Sequence, residues 1–429
     1  MSESPISEVG SRSPIPGPAH RPPLRSYAEE IGRISQLLRE NGALCVILVD
    51  ASPLERIERT YGVEAYWRAI QELLQLVTEA CREELGSDDI IASSDAGVDE
   101  IAIFVFRPRE DDGFYRESLP ALARALTETL ARNGNRIVYP YHREAPFLPV
   151  GCGLALHNPG LREERQVREA LERARSDAEI NARIQTRNRS KRFVDLVLAE
   201  DVTMLYEPIV NLTTREILGY EALVRGPWDS ELHSPGALFQ MAHETGLVFE
   251  LDCLCRRAAL RGARGLPPGK LLFLNCLPTA IHDPGFRGDE LRRTLESLRL
   301  RPSDVVFEIS EKESIDNFTI FREARDYYAD LGFKIALDDT GVAYGSLEAV
   351  MELSPDFIKV DLSLVRSIDT DPPRQELLRA LHSVACKLKA EIIAEGIETS
   401  EELATIQSLG IPYGQGYLFG RAAPLRRAV

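Results

Sequence analysis

Residues 304–339 read DVVFEISEKESIDNFTIFREARDYYADLGFKIALDD. Two short apolar runs, VVFEIS and FKIALDD, flank a stretch with apolar residues at helical spacing. Near-continuous apolar strands separated by a helix predict parallel strands buried on both faces. The runs carry carboxylates at their ends, Glu308 in the first and Asp338 with Asp339 in the second. Adjacent anions at a strand end repel one another and resist desolvation, so something must compensate them.

The same unit recurs on either side. After residue 200, TMLYEPIV, EILGYEALV, KLLFLNC, DFIKVD and AEIIAEG alternate with helical stretches such as RQELLRALHSVACKLK. Over roughly 230 residues this predicts a parallel sheet closed into a (β/α) barrel. Barrel chemistry sits at the C-terminal rim of the strands. Here the strands finish with Glu221, Asn275, Glu308, Asp338 with Asp339, Lys359 with Asp361, and Glu395. Any one of these is explained by a hydrated turn; an acid or amide at strand end after strand end points to a metal site. Oxygen donors from Glu, Asp and Asn suit Mg²⁺ or Mn²⁺. Two such ions about 3.5–4 Å apart acidify a bridging water and clamp both oxygens of a phosphoryl displacement. The implied chemistry is metal-assisted phosphodiester hydrolysis.

The whole chain has 429 residues, too many for one ordinary core, and a net charge of −16. That charge argues against a DNA or RNA polymer as partner. Seven cysteines without a C-x-x-C pair, and scattered histidines, fit a reducing cytosol rather than a disulfide framework or a zinc site. The longest apolar runs, such as ALCVILV at 43–49, fall short of the ~20 residues of a membrane helix. The acidic start MSESPISEVG does not resemble a signal peptide. These features predict a cytoplasmic protein without membrane insertion.

Residues 1–25 are rich in Pro and Ser and predict a disordered tail. A mixed α+β domain is expected over 26–165, opening on a helix with Ser26 as N-cap. A connecting helix at 166–194 carries Leu171, Ala174, Ala178 and Ile184 as a stripe, a feature suited to connection or to a homodimer.

Further motifs of the second half carry a family resemblance. YEALVRGP (220–227), FLNCLP (273–278), FEISE (307–311), LDDTG (337–341), DFIKVD (356–361), AEGIET (394–399) and GQGYLFGRAAP (414–424) resemble, in order, the motifs of EAL-domain cyclic di-GMP phosphodiesterases. The resemblance covers about 195–427 and implies a variant (β/α) barrel that hydrolyses cyclic di-GMP to linear pGpG with two Mg²⁺ or Mn²⁺ ions. It implies that Glu221, Asn275, Glu308 and Asp338 hold the first metal, and that Asp339 with Glu395 serves the second or its water. Lys359 would meet the attacking water or a phosphate, Arg225 a phosphate, and Gln415 lies in the matching QGY; Glu311 would brace the loop after Asp338. Two departures stand out. Glu207 occupies a position where the family carries a substrate-contacting Gln, and TGVAYGS replaces a loop nearer FGTGYSS.

The first domain resembles the GGDEF diguanylate cyclases. GVDEI (97–101) sits where the signature falls, and Asp50, Asp99 and Glu100 fill the positions of its metal-binding and catalytic acids. Val98 replaces the second Gly, while Glu58 and Arg59 replace nucleotide-reading residues. The expectation is a degenerate regulatory domain without cyclase activity, with GTP as its candidate ligand. The competing expectation for the whole chain is a catalytically weak or inactive receptor that binds cyclic di-GMP and signals through protein contacts.

Overall fold

Chain contacts divide the protein into two units, residues 1–188 and 189–429. The structure, a computed structural model, describes residues 24–94, 99–142, 145–310, 318–340, 350, 351 and 353–425. The tail up to residue 23, Val98, Glu311 and Gly341–Ser346 of the altered loop lie outside the described residues.

In the first unit the order is α1 (Tyr27–Asn41), β1 (Ala43–Asp50), α2 (Glu55–Tyr61), α3 (Val63–Cys81), β2 (Ile90–Ser93), β3 (Glu100–Phe106), α4 (Leu119–Val138) and β4 (Val150–Leu156). Ser26 caps α1: its Oγ accepts from the Glu29 backbone N–H, and the Glu29 carboxylate accepts from that of Ser26. The sheet runs β2-β3-β1-β4 with every pair antiparallel, a split β-α-β arrangement.

One face of this sheet packs on Ile70, Leu73 and Val77 of α3 and Leu122, Leu126 and Leu130 of α4. Its other face meets Ile34 and Leu38 of α1 and the long helix α5 (Glu163–Ala199). Helix α5 lies directly on β4 because two strand positions are glycine. A Cβ at Gly151 would stand 2.1 Å from the Ala174 carbonyl oxygen, and one at Gly153 would stand 2.0 Å from that of Ala170. Of the predicted stripe, Leu171, Ala174 and Ala178 are buried, whereas Ile184 is exposed, so the buried face stops short of it.

The second unit is a closed barrel in the order β10-β11-β12-β5-β6-β7-β8-β9. Its strands are β5 (Thr203–Asn211), β6 (Ile217–Arg225), β7 (Leu271–Asn275), β8 (Val305–Ser310), β9 (Lys334–Thr340), β10 (Phe357–Val360), β11 (Glu391–Ala394) and β12 (Tyr413–Gly414). Helices α6 (Pro235–Thr245), α7 (Val248–Gly262), α8 (Gly288–Leu298), α9 (Phe318–Asp330), α10 (Leu362–Val365), α11 (Pro372–Leu388) and α12 (Ser400–Ser408) are the α-helices described between and after the strands.

The barrel departs from the all-parallel expectation: β5 runs antiparallel to both β6 and β12. Only residues 212–216 join β5 to β6, far too few for the crossover that parallel neighbours require. Asn211 closes that turn by accepting from the backbone of Thr213 and Thr214.

The barrel interior is built in two layers. Ile209, Phe273, Val306, Ala336, Phe357 and Ile393 form an apolar cluster. Side chains on one face of a strand recur every second residue. Two positions along from this cluster stand Asn275, Glu308, Asp338, Lys359 and Glu395; on the reversed β5 the partner of Ile209 is Glu207, two positions earlier. An apolar floor and a polar bowl thus follow from strand periodicity.

Candidate metal centre

Lys359 is the hub of the bowl. Its side chain is 1% exposed, and its Nζ stands 2.8 Å from Glu395 Oε1, 2.9 Å from Glu308 Oε1, 3.2 Å from Glu221 Oε2 and 3.3 Å from Asp338 Oδ1. Gln415 Nε2 donates to Glu221 Oε2 at 2.6 Å, and Asn275 Nδ2 donates to Glu221 Oε1 at 3.4 Å. Glu221, Glu308 and Asp338 each offer a carboxylate oxygen within 4.8 Å of the others. Glu221 occupies the middle of β6 rather than its end; its backbone is paired with Phe273 of the floor, and its side chain joins the bowl through Asn275, Gln415 and Lys359.

Four carboxylates around one ammonium cannot all be compensated by it. Burial first, then the Glu221 charge, pushes the Glu308 carboxyl well above its ordinary value. Burial also raises Glu395 strongly and Asp338 in the same direction, with neighbouring anions adding to both. Glu221 goes the other way: burial opposes its charge, yet Lys359, Gln415 and Asn275 hold it below the ordinary value. For Lys359 burial opposes the charge, but the surrounding carboxylates outweigh it and hold the ammonium protonated.

The residues fit a hard divalent cation. Their donors are all oxygen. Glu308 Oε2 is buried without a hydrogen-bond partner, and Oε1 has the Lys359 ammonium beside it. The bowl is short of positive charge.

Asp338 and Asp339 are separated by a bulge. Pairing of β9 with β10 slips from Leu337↔Ile358 to Thr340↔Val360, so two aspartates oppose the single Lys359. The chain turns at Asp339, which stands at φ +59°. The Asp339 N–H donates to Asp338 Oδ1 at 2.9 Å. The mutually close set of Glu221, Glu308 and Asp338 does not include Asp339.

Glu207 pairs directly with Glu221 across β5 and β6. Burial, then that neighbouring charge, raises its carboxyl above the ordinary value. Arg225 shares the inward parity of Glu221, and its Nη1 donates to the Val224 carbonyl at 2.7 Å. Asp361 is drawn into local structure as the N-cap of α10.

In the first unit, Asp50 pairs with Glu100 across β1 and β3. These residues line a 580 Å³ cleft with Asp99, Ser94 and Arg175. Glu100 is already engaged: Arg175 Nε donates to its Oε1 at 2.6 Å, and Tyr27 Oη and Arg175 Nη2 reach its Oε2 at 2.8 and 2.9 Å. Burial and then Glu100 push the Tyr27 hydroxyl up to about 12. Asp99 Oδ1 accepts from Tyr66 Oη at 3.2 Å, and Asp50 Oδ1 from the Ser52 N–H at 2.9 Å.

A second buried charge cluster, Asp252 with Arg256 on α7, escaped the sequence reading. Its signal was an acid and a base at i,i+4 inside the apolar stretch LDCLCRRAAL.

Residues 190–422 match the EAL domain family, and the chain belongs to it. Among curated relatives, the cyclic di-GMP phosphodiesterase NbdA of Pseudomonas aeruginosa is 27% identical over 407 residues, covering 90% of this chain and 50% of the relative. The blue light- and temperature-regulated antirepressor BluF of Escherichia coli K12 is 28% identical over 218 residues, covering 51% and 53%. The chain thus spans about half the length of these relatives. The fold is shared with the PaMucR phosphodiesterase in its c-di-GMP complex, at a TM-score of 0.50 and 24% identity, covering 55% of this chain and 98% of that one. Among the described residues, no helix is long and apolar enough to cross a membrane.

Proposed function

We propose that the barrel hydrolyses cyclic di-GMP to linear pGpG with the help of Mg²⁺ or Mn²⁺. The observation that carries this reading is the convergence of Glu221, Glu308, Asp338 and Glu395 on one buried point, with Asn275 and Gln415 attached. Glu221, Asn275, Glu308 and Asp338 would hold one ion, and Asp339 with Glu395 a second. Bound ions of this kind supply a water acidic enough to attack phosphorus near neutral pH. Water adds to one phosphorus, the P–O bond to one ribose breaks, and that ribose oxygen takes a proton. Lys359 orients the attacking water or a phosphate oxygen, Arg225 takes a phosphate, Gln415 fixes the Glu221 rotamer, and Glu311 braces the loop after Asp338. Incubating the protein with cyclic di-GMP and Mn²⁺, then resolving pGpG by chromatography, tests the reading.

A receptor that binds cyclic di-GMP without cleaving it is the second reading. Glu207 favours it, because a carboxylate beside Glu221 repels a phosphodiester unless it is protonated. The relative BluF is named an antirepressor, which supports keeping this second reading.

For the first unit the proposal is a degenerate GGDEF-like regulatory domain without cyclase activity. Its Glu100 is committed to Arg175 and Tyr27, which supports a structural role for that acid. A GTP titration that shifts neither melting temperature nor turnover would remove GTP as its ligand. A homodimer through the exposed face of α5 at Ile180 and Ile184 remains part of the same proposal.

A further inference from the structure

We infer that Asp252 is a positioning residue for the barrel site, acting on Asn275 through the backbone of Leu277; the inference rests on the metal-dependent reading above. Strand β7 ends at Asn275, whose exposed amide makes a long 3.4 Å contact to Glu221. The backbone immediately after it is held by two hydrogen bonds. The Cys276 N–H donates to the Glu308 carbonyl at 2.9 Å, and the Leu277 N–H donates to Asp252 Oδ1 at 3.1 Å. The second anchor comes from a helix outside the barrel wall, and it sets the direction in which the chain leaves the strand.

Asp252 is itself fixed. Its Oδ2 accepts from Arg256 Nε at 2.7 Å, and both side chains are buried. Arg256 Nη2 reaches Asp283 Oδ2 at 3.2 Å, while Asp283 Oδ1 accepts from the Gly285 N–H at 2.9 Å. The guanidinium also lies over the Phe286 ring at 4.2 Å. One buried cation therefore ties both ends of the segment 277–285, through Asp252 at Leu277 and through Asp283 at Gly285. Well-packed apolar residues often stabilise a core as well as a buried ion cluster does. The value of this one lies in the backbone path it imposes on the residues after Asn275.

Groups that orient metal ligands from outside are worth 10–100-fold in metal affinity or activity. Asp252→Ala is expected to weaken Mn²⁺ binding, read by calorimetry on the full chain, by roughly 10-fold or more, and to lower kcat/KM for cyclic di-GMP in step. Asp252→Asn in an Arg256→Met/Asp283→Asn background keeps an oxygen for the Leu277 N–H without turning its NH2 toward the Arg256 Nε–H, and should recover most of both. Since Ala at 252 strands the buried guanidinium, and Arg256→Met alone would strand Asp283, Asp252→Ala in that same background provides a folded companion that removes the three buried charges together yet still lacks the anchor; it should remain impaired. Adding Asn275→Ala to Asp252→Ala should cost little more than Asn275→Ala alone, the non-additivity of two groups acting as one. Wild-type Mn²⁺ affinity in the companion variant, additive losses with Asn275→Ala, or no rescue by Asn each overturn the inference while leaving the phosphodiesterase reading intact. A wild-type chain that binds no Mn²⁺ overturns both.

Discussion

Lys359 Nζ stands 2.9 Å from Glu308 Oε1, with both side chains sealed from solvent. The ammonium is the positive centre of the bowl and stands within 3.3 Å of four of its carboxylates.

Removing that charge should therefore separate its structural and functional roles. Lys359→Met leaves uncompensated buried carboxylates, a change expected to cost about 3–5 kcal/mol without metal. Saturating Mn²⁺ should return part of the lost melting temperature but not the turnover. A variant equally stable with and without the lysine would contradict its role as the counter-charge.

Losing a proposed ligand should act differently. Glu221→Ala removes the carboxylate that Gln415, Asn275 and Lys359 all hold. Turnover should fall by roughly 10²-fold or more as metal-borne charge stabilisation is lost. Steady-state kinetics at saturating Mn²⁺ check this, and unchanged kcat would refute the assignment.

The pH dependence of metal-free stability has a defined sign. Glu308 and Glu395 have folded pKa values raised well above the ordinary ~4.3, by burial first and neighbouring carboxylates next. A carboxyl that holds its proton more tightly when folded stabilises fully below its unfolded pKa, and that contribution is lost as pH rises toward the folded value. Mn²⁺ requires the deprotonated groups. The rise in melting temperature on adding Mn²⁺ should be larger near pH ~8 than near pH ~5.5. Equal gains at both would contradict the placement of these carboxyls at the metal.

Glu207→Gln is expected to tighten the binding of cyclic di-GMP. It removes a raised carboxyl paired against Glu221 and restores an amide at a position facing the bowl. KM for cyclic di-GMP should drop by roughly 3–10-fold, about 0.7–1.4 kcal/mol, with kcat little changed. A higher KM would show that Glu207 contributes to substrate binding as it stands.

Much of the barrel was legible because strand periodicity and function coincide. Phe273 with Asn275, Val306 with Glu308, Phe357 with Lys359, and Ile393 with Glu395 each place an apolar residue on the floor and a polar one in the bowl. Position along a strand was harder to read, since Glu221 looks like a strand end until its neighbours' register is known. The reversal of β5 was hidden as well: its apolar pattern is the same in either direction, and only the short link at 212–216 fixes it. The bulge at Asp338 and Asp339 depends on a positive φ at an aspartate, which has no periodic signal. Asp252 and Arg256 left a weak signal, because an i,i+4 pair ordinarily marks a solvated helix face, and only burial reveals that this one holds the segment after Asn275.

The most direct test of the phosphodiesterase reading is the product of cyclic di-GMP incubated with the purified full chain and Mn²⁺, separated by chromatography. Accumulation of linear pGpG, abolished by chelation and by Glu221→Ala, is the predicted result. Tight binding of cyclic di-GMP with no pGpG would contradict it and leave the receptor reading in its place.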